Sequence, residues 1–299
     1  MPDKVGGMTI RPRRSVLYMP GSNARALEKA KTLPADGVIL DLEDSVAPDA
    51  KEAARNQVAE AVKAGGFGRR EVFVRVNAID TPWHADDLAA AAQAAPDAIL
   101  VPKVSSPDVL ERIGRRVMDM GTDHKTRIWA MIETPLAIFN ILAIAAKAQD
   151  SETRLTGFVM GTNDLAKDTR ARLVPGRAPM LPWLATCVAA ARIYGIDILD
   201  GVYNDIGNAE GFAKECVQGV ELGFDGKTLI HPNQIEPCNT AFSPSADEIA
   251  WARKMIAAFN LPENKAKGVV SIEGRMVERL HAEMAARTVA IAEAISNSA

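Results

Sequence analysis

The sequence predicts an α/β protein built as a closed (β/α)8 TIM barrel with a C-terminal helical extension. Three observations predict it. Short apolar runs rich in Val, Ile and Leu alternate with longer Ala-rich helical stretches from residue 15 nearly to residue 240, and strands alternating with helices make a parallel sheet. The runs are continuously apolar rather than alternating, as in strands covered on both faces. Eight such units fit within roughly 225 residues, near the about 250 of a closed barrel, and no GxGxxG follows the first run to support an open dinucleotide-binding sheet.

The first strand, residues 15–18, closes at Pro20-Gly21 and leads into a helix over 24–31. The second covers 37–42, followed by a helix over 49–63. Strands three to eight cover 71–76, 97–101, 127–132, 157–160, 197–202 and 227–230. The pattern then changes. Residues 245–260 read as one amphipathic helix with Ser243-Pro244-Ser245 at its start, where capping residues belong. Residues 261–268 are polar and loop-like, and a short segment over 269–277 leads to a final Ala-rich helix from about 277 to 295. The expected division is a catalytic barrel over 1–240 and a helical extension or lid over 241–299. That tail is short for an independent domain, so it is expected to pack on its own or a neighbouring subunit.

Composition narrows the function classes. The 299 residues are 47% hydrophobic and 24% charged, with a formal net charge of −3, so nothing draws the chain to nucleic acid or to an anionic membrane. The basic run Arg11, Arg13, Arg14 reads as a solvated arm ahead of the first strand. Cys187, Cys216 and Cys238 are widely spaced and include no CxxC pair, which points to a reducing compartment. The absence of a signal segment and of any run of about 18 apolar residues makes the expected location the cytoplasm.

The most informative feature is where polar residues fall. Strand one ends in Pro20-Gly21-Ser22-Asn23, strand two in Asp41, Glu43 and Asp44, and strand three in Arg75 and Asn77. Strand four ends in Pro102-Lys103, strand five in Glu133, strand six in Gly161-Thr-Asn-Asp164, and strand eight in His231-Pro232. In a (β/α)8 barrel the C-terminal strand ends share one mouth, where such enzymes place their chemistry. Singly, Glu133 has a structural explanation as a salt-bridging or capping carboxylate, and Asp164 as a helix cap. On neighbouring strands they would sit across one pocket, and two protein oxygens completed by water and substrate are what Mg²⁺ usually takes. Arg75, a charge inside an apolar strand, must pair with a carboxylate of the protein or of the substrate, and the two can coexist. Asp41 and Glu43, two apart, point to the same side. Lys103 suits a salt bridge to the Asp41, Glu43 and Asp44 cluster better than a Schiff base. His231 is a base or a loop former, and no GxSxG elbow supports a serine nucleophile.

Seven motifs occur in order: Arg14-Ser-Val-Leu-Tyr-Met-Pro-Gly21, Asp41-Leu-Glu-Asp-Ser-Val-Ala-Pro48, Val74-Arg-Val-Asn77, Pro102-Lys103, Glu133-Thr134, Gly161-Thr-Asn-Asp-Leu165 and Gly226-Lys-Thr-Leu-Ile-His-Pro232. Together they resemble the citrate lyase β-subunit-like branch of the HpcH/HpaI aldolase superfamily, over nearly the whole chain. Within it the sequence is most similar to malyl-CoA and citramalyl-CoA lyases and to malyl-CoA thioesterases. The resemblance implies a Mg²⁺-bound barrel, commonly a homotrimer or hexamer, with metal ligands at Glu133 and Asp164 and a substrate-carboxylate arginine at Arg75. It puts CoA contacts near Tyr18, Lys29 and the backbone of Ile230 and His231. It also implies an acidic residue from a C-terminal segment over a neighbouring subunit's barrel mouth, here Glu278 in Gly274-Arg-Met-Val-Glu278. Two departures stand out: Glu278 replaces the Asp of several relatives, and Asn23, not a basic residue, follows Pro20-Gly21-Ser22, with Arg25 two residues on.

The expected reaction is reversible carbon–carbon cleavage of a small 3-hydroxyacyl-CoA such as malyl-CoA or citramalyl-CoA, giving acetyl-CoA plus glyoxylate or pyruvate. Arg75 would orient the oxo-acid half, Asp41 and Glu43 would support it, and Glu278 would exchange the proton with the acetyl carbon. The alternatives are a (3S)-malyl-CoA thioesterase, a citrate lyase β-like subunit that needs a carrier-bound substrate, and a CoA-free 2-oxo acid aldolase.

Overall fold

A computed structural model describes residues 4–5, 8–121 and 125–297. The expected segments 1–240 and 241–299 therefore each include a few residues, 1–3, 6–7, 122–124 and 298–299, that lie outside the described ones. Eight parallel strands close into a barrel: β1 (Ser15–Pro20), β2 (Gly37–Asp41), β3 (Glu71–Arg75), β4 (Ala98–Val101), β5 (Arg127–Ile132), β6 (Leu155–Met160), β7 (Asp197–Asp200) and β8 (Gly226–Leu229). Each pairs with its chain neighbour, and β8 returns to pair with β1 through Thr228 and Val16. The connections are α1 (Ala24–Ala30), α2 (Lys51–Ala64), α3 (His84–Ala94), α4 (Pro107–Asp119), α5 (Pro135–Ala146), α6 (Thr162–Thr169), α7 (Leu181–Ile193) and α8 (Ala209–Leu222), with α9 (Ile235–Ala241) after β8. The β6-to-β7 connection carries two helices, α6 and α7.

Period-two alternation decides which residues fill the barrel. Val16, Ile39, Phe73, Leu100, Trp129, Met131, Val159 and Leu199 form its interior, and Phe73 meets Trp129 edge-on with ring centroids 5.2 Å apart. Gly157 makes room for that indole, since a Cβ there would sit 2.6 Å from the Trp129 ring. Tyr18, Asp41, Arg75 and Glu133 share parity with these interior residues, so one rule that packs the core also aims them at the axis.

The basic run is not a solvated arm. Arg13 ion-pairs with Glu71 and Asp197, at the starts of β3 and β7, and its guanidinium lies 5.2 Å from the Trp129 ring centroid. Arg14 binds Asp36 with nitrogen–oxygen distances of 2.8 Å. The two arginines close the barrel end opposite the mouth because carboxylates from distant strands gather there.

By compactness, residues 13–239 form one unit and residues 1–12 with 240–299 another. In the second unit α10 (Ala246–Asn260) packs on α11 (Arg279–Ser296). Ser245 and Glu248 make a reciprocal capping box at the start of α10. The segment expected only as a lead-in is a β-hairpin, β9 (Val269–Ile272) with β10 (Arg275–Glu278), turning at Glu273 and Gly274 with φ of 52° and 79°. Val270, Val277 and Phe259 form its buried centre.

Candidate active site

Five carboxyl groups gather at the C-terminal ends of the barrel strands. Asp41 closes β2 and its register partner Arg75 closes β3. Arg75 grips Asp41 through both oxygens, Nε to Oδ1 at 2.6 Å and Nη2 to Oδ2 at 2.8 Å. Nη1 lies 2.8 Å from Glu43 Oε2 and 3.3 Å from Asp44 Oδ2. The guanidinium carbon sits 4.8 Å from the centroid of the Tyr18 ring. Burial alone would raise the Asp41 carboxyl, but Arg75 beside it holds it below the ordinary carboxylate range. Both the expected Arg75–carboxylate network and the shared side of Asp41 and Glu43 are thus present.

The loop after β2 is clamped from behind. Lys51 donates to the carbonyls of Leu42 and Glu43 at 2.8 and 2.7 Å and to Asn77 Oδ1 at 2.8 Å, and it stacks over Trp83. Asn77 in turn donates to Leu42 O and to Asp87. The sequence reading missed Lys51. Its signal was there: Lys51 lies three and seven residues before the buried Ala54 and Val58, on the inner stripe of α2.

Glu133 follows β5 directly, and the adjacent Thr134 and Pro135 start α5, with Thr134 as the cap. Glu133 is therefore not the cap. Its Oε1 accepts the Lys103 backbone N–H at 2.7 Å, while Gly161, just past the end of β6, leaves the space its carboxylate fills, since any Cβ there would collide with it. Asp164 stands in the first turn of α6, whose N-cap is Gly161, so it is not the cap either. Burial pushes Glu133 up to about 7, helped by the charge of Asp164. Burial likewise pushes Glu43 up to about 8, opposed by Arg75 and reinforced by Glu133.

Lys103 lies between these groups, its Nζ 3.8 Å from Glu43 Oε1. Burial would lower its pKa, but Glu43, Asp164 and Glu133 outweigh that and raise it. A lysine whose ammonium form is favoured this way is a poor Schiff-base nucleophile, which speaks against the rival chemistry.

The remaining expected residues divide. Tyr18 packs beneath Arg75 in the barrel. Lys29 is exposed in the last turn of α1 and is not brought to this cluster. The Ile230 and His231 amides both donate to Gln234 Oε1, at 3.0 and 3.2 Å, so these N–H groups serve the turn after β8. Glu278 belongs to the other unit, where its side chain caps α11.

Asp41, Glu43, Asp44, Glu133 and Asp164 share the mouth with three cationic side chains, Arg75, Lys103 and Lys51. With all five carboxyls ionised, two negative charges would be left for a bound cation to balance. Among the described residues no group of three or more His, Cys, Asp and Glu is arranged to enclose a metal, but Mg²⁺ needs only one or two carboxylates with water and substrate oxygens. The Glu133 and Asp164 pair fits that requirement.

A profile of the HpcH/HpaI aldolase/citrate lyase family matches residues 14–232, which spans all eight strands. The chain belongs to the HpcH/HpaI aldolase/citrate lyase family. It is 47% identical over 285 residues to a (3S)-malyl-CoA thioesterase of Cereibacter sphaeroides, covering 95% of this chain and 96% of that one. It is 35% identical over 273 residues to the citrate lyase subunit beta of Escherichia coli, covering 90% and 89%. A crystal structure of CitE from Mycobacterium tuberculosis with magnesium, acetoacetate and coenzyme A superposes with a TM-score of 0.77 at 29% identity, covering 95% of this chain and all of that one. Among the described residues no helix is long and apolar enough to cross a membrane.

Proposed function

We propose that this member of the HpcH/HpaI family hydrolyses a small 3-hydroxyacyl-CoA thioester, (3S)-malyl-CoA, with Mg²⁺ bound by Glu133 and Asp164. The observation that carries hydrolysis over the expected carbon–carbon cleavage is the 47% identity, over 95% of the chain, to enzymes named for that hydrolysis. The relatives named for citrate lyase stand lower, at 33–36%.

When bound, Mg²⁺ supplies a Lewis acid and a template for the hydroxyl and carboxylate oxygens of the substrate. The protein supplies the rest. Glu133 is aimed by the Lys103 amide, and Gly161 keeps its carboxylate from being displaced. Arg75 fixes Asp41 and Glu43 by charge-assisted bonds and offsets negative charge that develops beside them. Glu43 is the proton acceptor for the attacking water. Its Oε2 is held by the ion pair with Arg75 Nη1 at 2.8 Å, and its proton affinity, about 8, suits a base that works near neutrality. Water oxygen bonds to the thioester carbon, the C–S bond breaks, and the proton held at Glu43 passes to the CoA sulfur. Free malate and CoA thiol result. The trimeric or hexameric assembly is part of the proposal, supported by the exposed Leu136, Phe139 and Leu142 on α5.

The test is to incubate purified protein with malyl-CoA, with Mg²⁺ and with EDTA, and to quantify CoA thiol and acetyl-CoA separately. Metal-dependent thiol release with one malate per thiol is expected. Acetyl-CoA with matching glyoxylate would instead make the enzyme the carbon–carbon lyase, and turnover that persists in EDTA would remove the metal assignment.

A further inference from the structure

Arg75 is nearly spent on the protein. Of its five N–H groups, Nε and one on Nη2 bind Asp41, and Nη1 is shared among Asp44, Glu43 and the Met131 sulfur. Tyr18 covers one face of the guanidinium. One N–H of Nη2 is left for a substrate oxygen.

Lys103 is placed differently. Its side chain is 45% exposed, and its Nζ stands 3.8 Å from Glu43 Oε1, beyond hydrogen-bond length. Among the described residues the ammonium makes no hydrogen bond. The backbone that carries it is unusual: φ is 53°, a left-handed conformation at a residue with a side chain, directly after Pro102. That conformation turns the Lys103 N–H onto Glu133 Oε1 at 2.7 Å while its side chain reaches Glu43. Ser105 steadies the turn through the Lys103 carbonyl and through Thr134. One strained residue thus aims a candidate metal ligand with its amide and presents a cation with three unused donors.

We propose that Lys103 binds the free carboxylate of the substrate, which makes it the residue that selects acyl-CoA esters carrying a second acid group. The assignment rests on the proposed thioesterase reading. A carboxylate placed between a metal on Glu133 and the Lys103 ammonium would gain a charge-assisted bond that an ester lacking it cannot make, and Lys103 would then keep only its longer contact to Glu43 at 3.8 Å.

The test compares wild type, Lys103→Met and Lys103→Arg. The backbone amide to Glu133 survives in each, and thermal melting checks that each is folded. Three readouts are taken: KM and kcat for malyl-CoA, binding of free malate with Mg²⁺ by calorimetry, and binding of Mg²⁺ alone. We expect Lys103→Met to raise KM and weaken malate by about tenfold, with kcat within about threefold, and Lys103→Arg to recover most of the loss. Mg²⁺ alone should bind Lys103→Met at least as tightly as wild type, because a like charge has gone. Unchanged KM and malate affinity overturn the proposal. So does a Mg²⁺ affinity that falls in parallel, which would mean that Lys103 acts only through Glu133. If wild type leaves malyl-CoA intact while Lys103→Met still weakens malate, the thioesterase reading falls and the carboxylate assignment stands.

Discussion

Arg75 and Asp41 show what a buried charge demands. Both are almost fully buried, and the two parallel hydrogen bonds between them satisfy the demand for partners. Removing one partner strands the other, so Arg75→Met is expected to cost about 3–5 kcal/mol of stability, measured by urea unfolding. Glu133 behaves oppositely. Burial makes its ionised form costly, which is why its pKa rises to about 7. Glu133→Gln should therefore leave the metal-free protein at least as stable above neutrality while abolishing Mg²⁺ binding in calorimetry. A variant that still binds Mg²⁺ at wild-type affinity would sink the ligand assignment.

At the scale of elements, β5 and β6 carry both the core and the site. Trp129 fills the barrel because Gly157 on β6 has no side chain, and four residues on, Gly161 gives the same accommodation to Glu133. Gly157→Ala should overpack this layer and cost about 1–3 kcal/mol, again read from unfolding midpoints. The strands themselves were legible in the sequence to within two residues at each end. The 127–132 strand is reproduced without change, while the 197–202 strand stops at Asp200. Strand ends blur because residues such as Gly201 lie just past the last ladder pairing. The hairpin of β9 and β10 was not legible, since two four-residue strands with exposed alternate positions carry little apolar pattern.

The whole barrel has a charge economy that titration can read. Asp200, buried on β7, is pushed up by burial but held low by Lys227 and Arg177, so it adds stability above the ordinary carboxylate pKa and loses it on acidification. Glu43 and Glu133 have raised values. The native protein binds more protons than the unfolded chain between about pH 4.5 and about 8, so their contribution to stability falls as pH rises through that window. Mg²⁺ opposes this loss by favouring the ionised forms. The rise in Tm on adding Mg²⁺ should be larger near about pH 8 than near about pH 6, by scanning calorimetry. An equal rise at both would mean that Glu133 does not hold the ion.

The sequence by itself determined the barrel and the strand-end residues aimed at its axis. Alternation sets strand against helix, and parity along each strand sends Tyr18, Asp41, Arg75 and Glu133 to the axis, so local pattern alone was enough. Only the tertiary structure decided who pairs with whom. Arg13 finds Asp197 across 184 positions of sequence and plugs the far end instead of waving in solvent. Lys51 clamps the Glu43 loop, Arg75 grips Asp41 through two hydrogen bonds, and the Ile230 and His231 amides are taken by Gln234. Lys103 takes a left-handed turn that no residue pattern announces. Partner choice depends on distances between strand ends far apart in the chain, and those distances come into being only when the barrel closes.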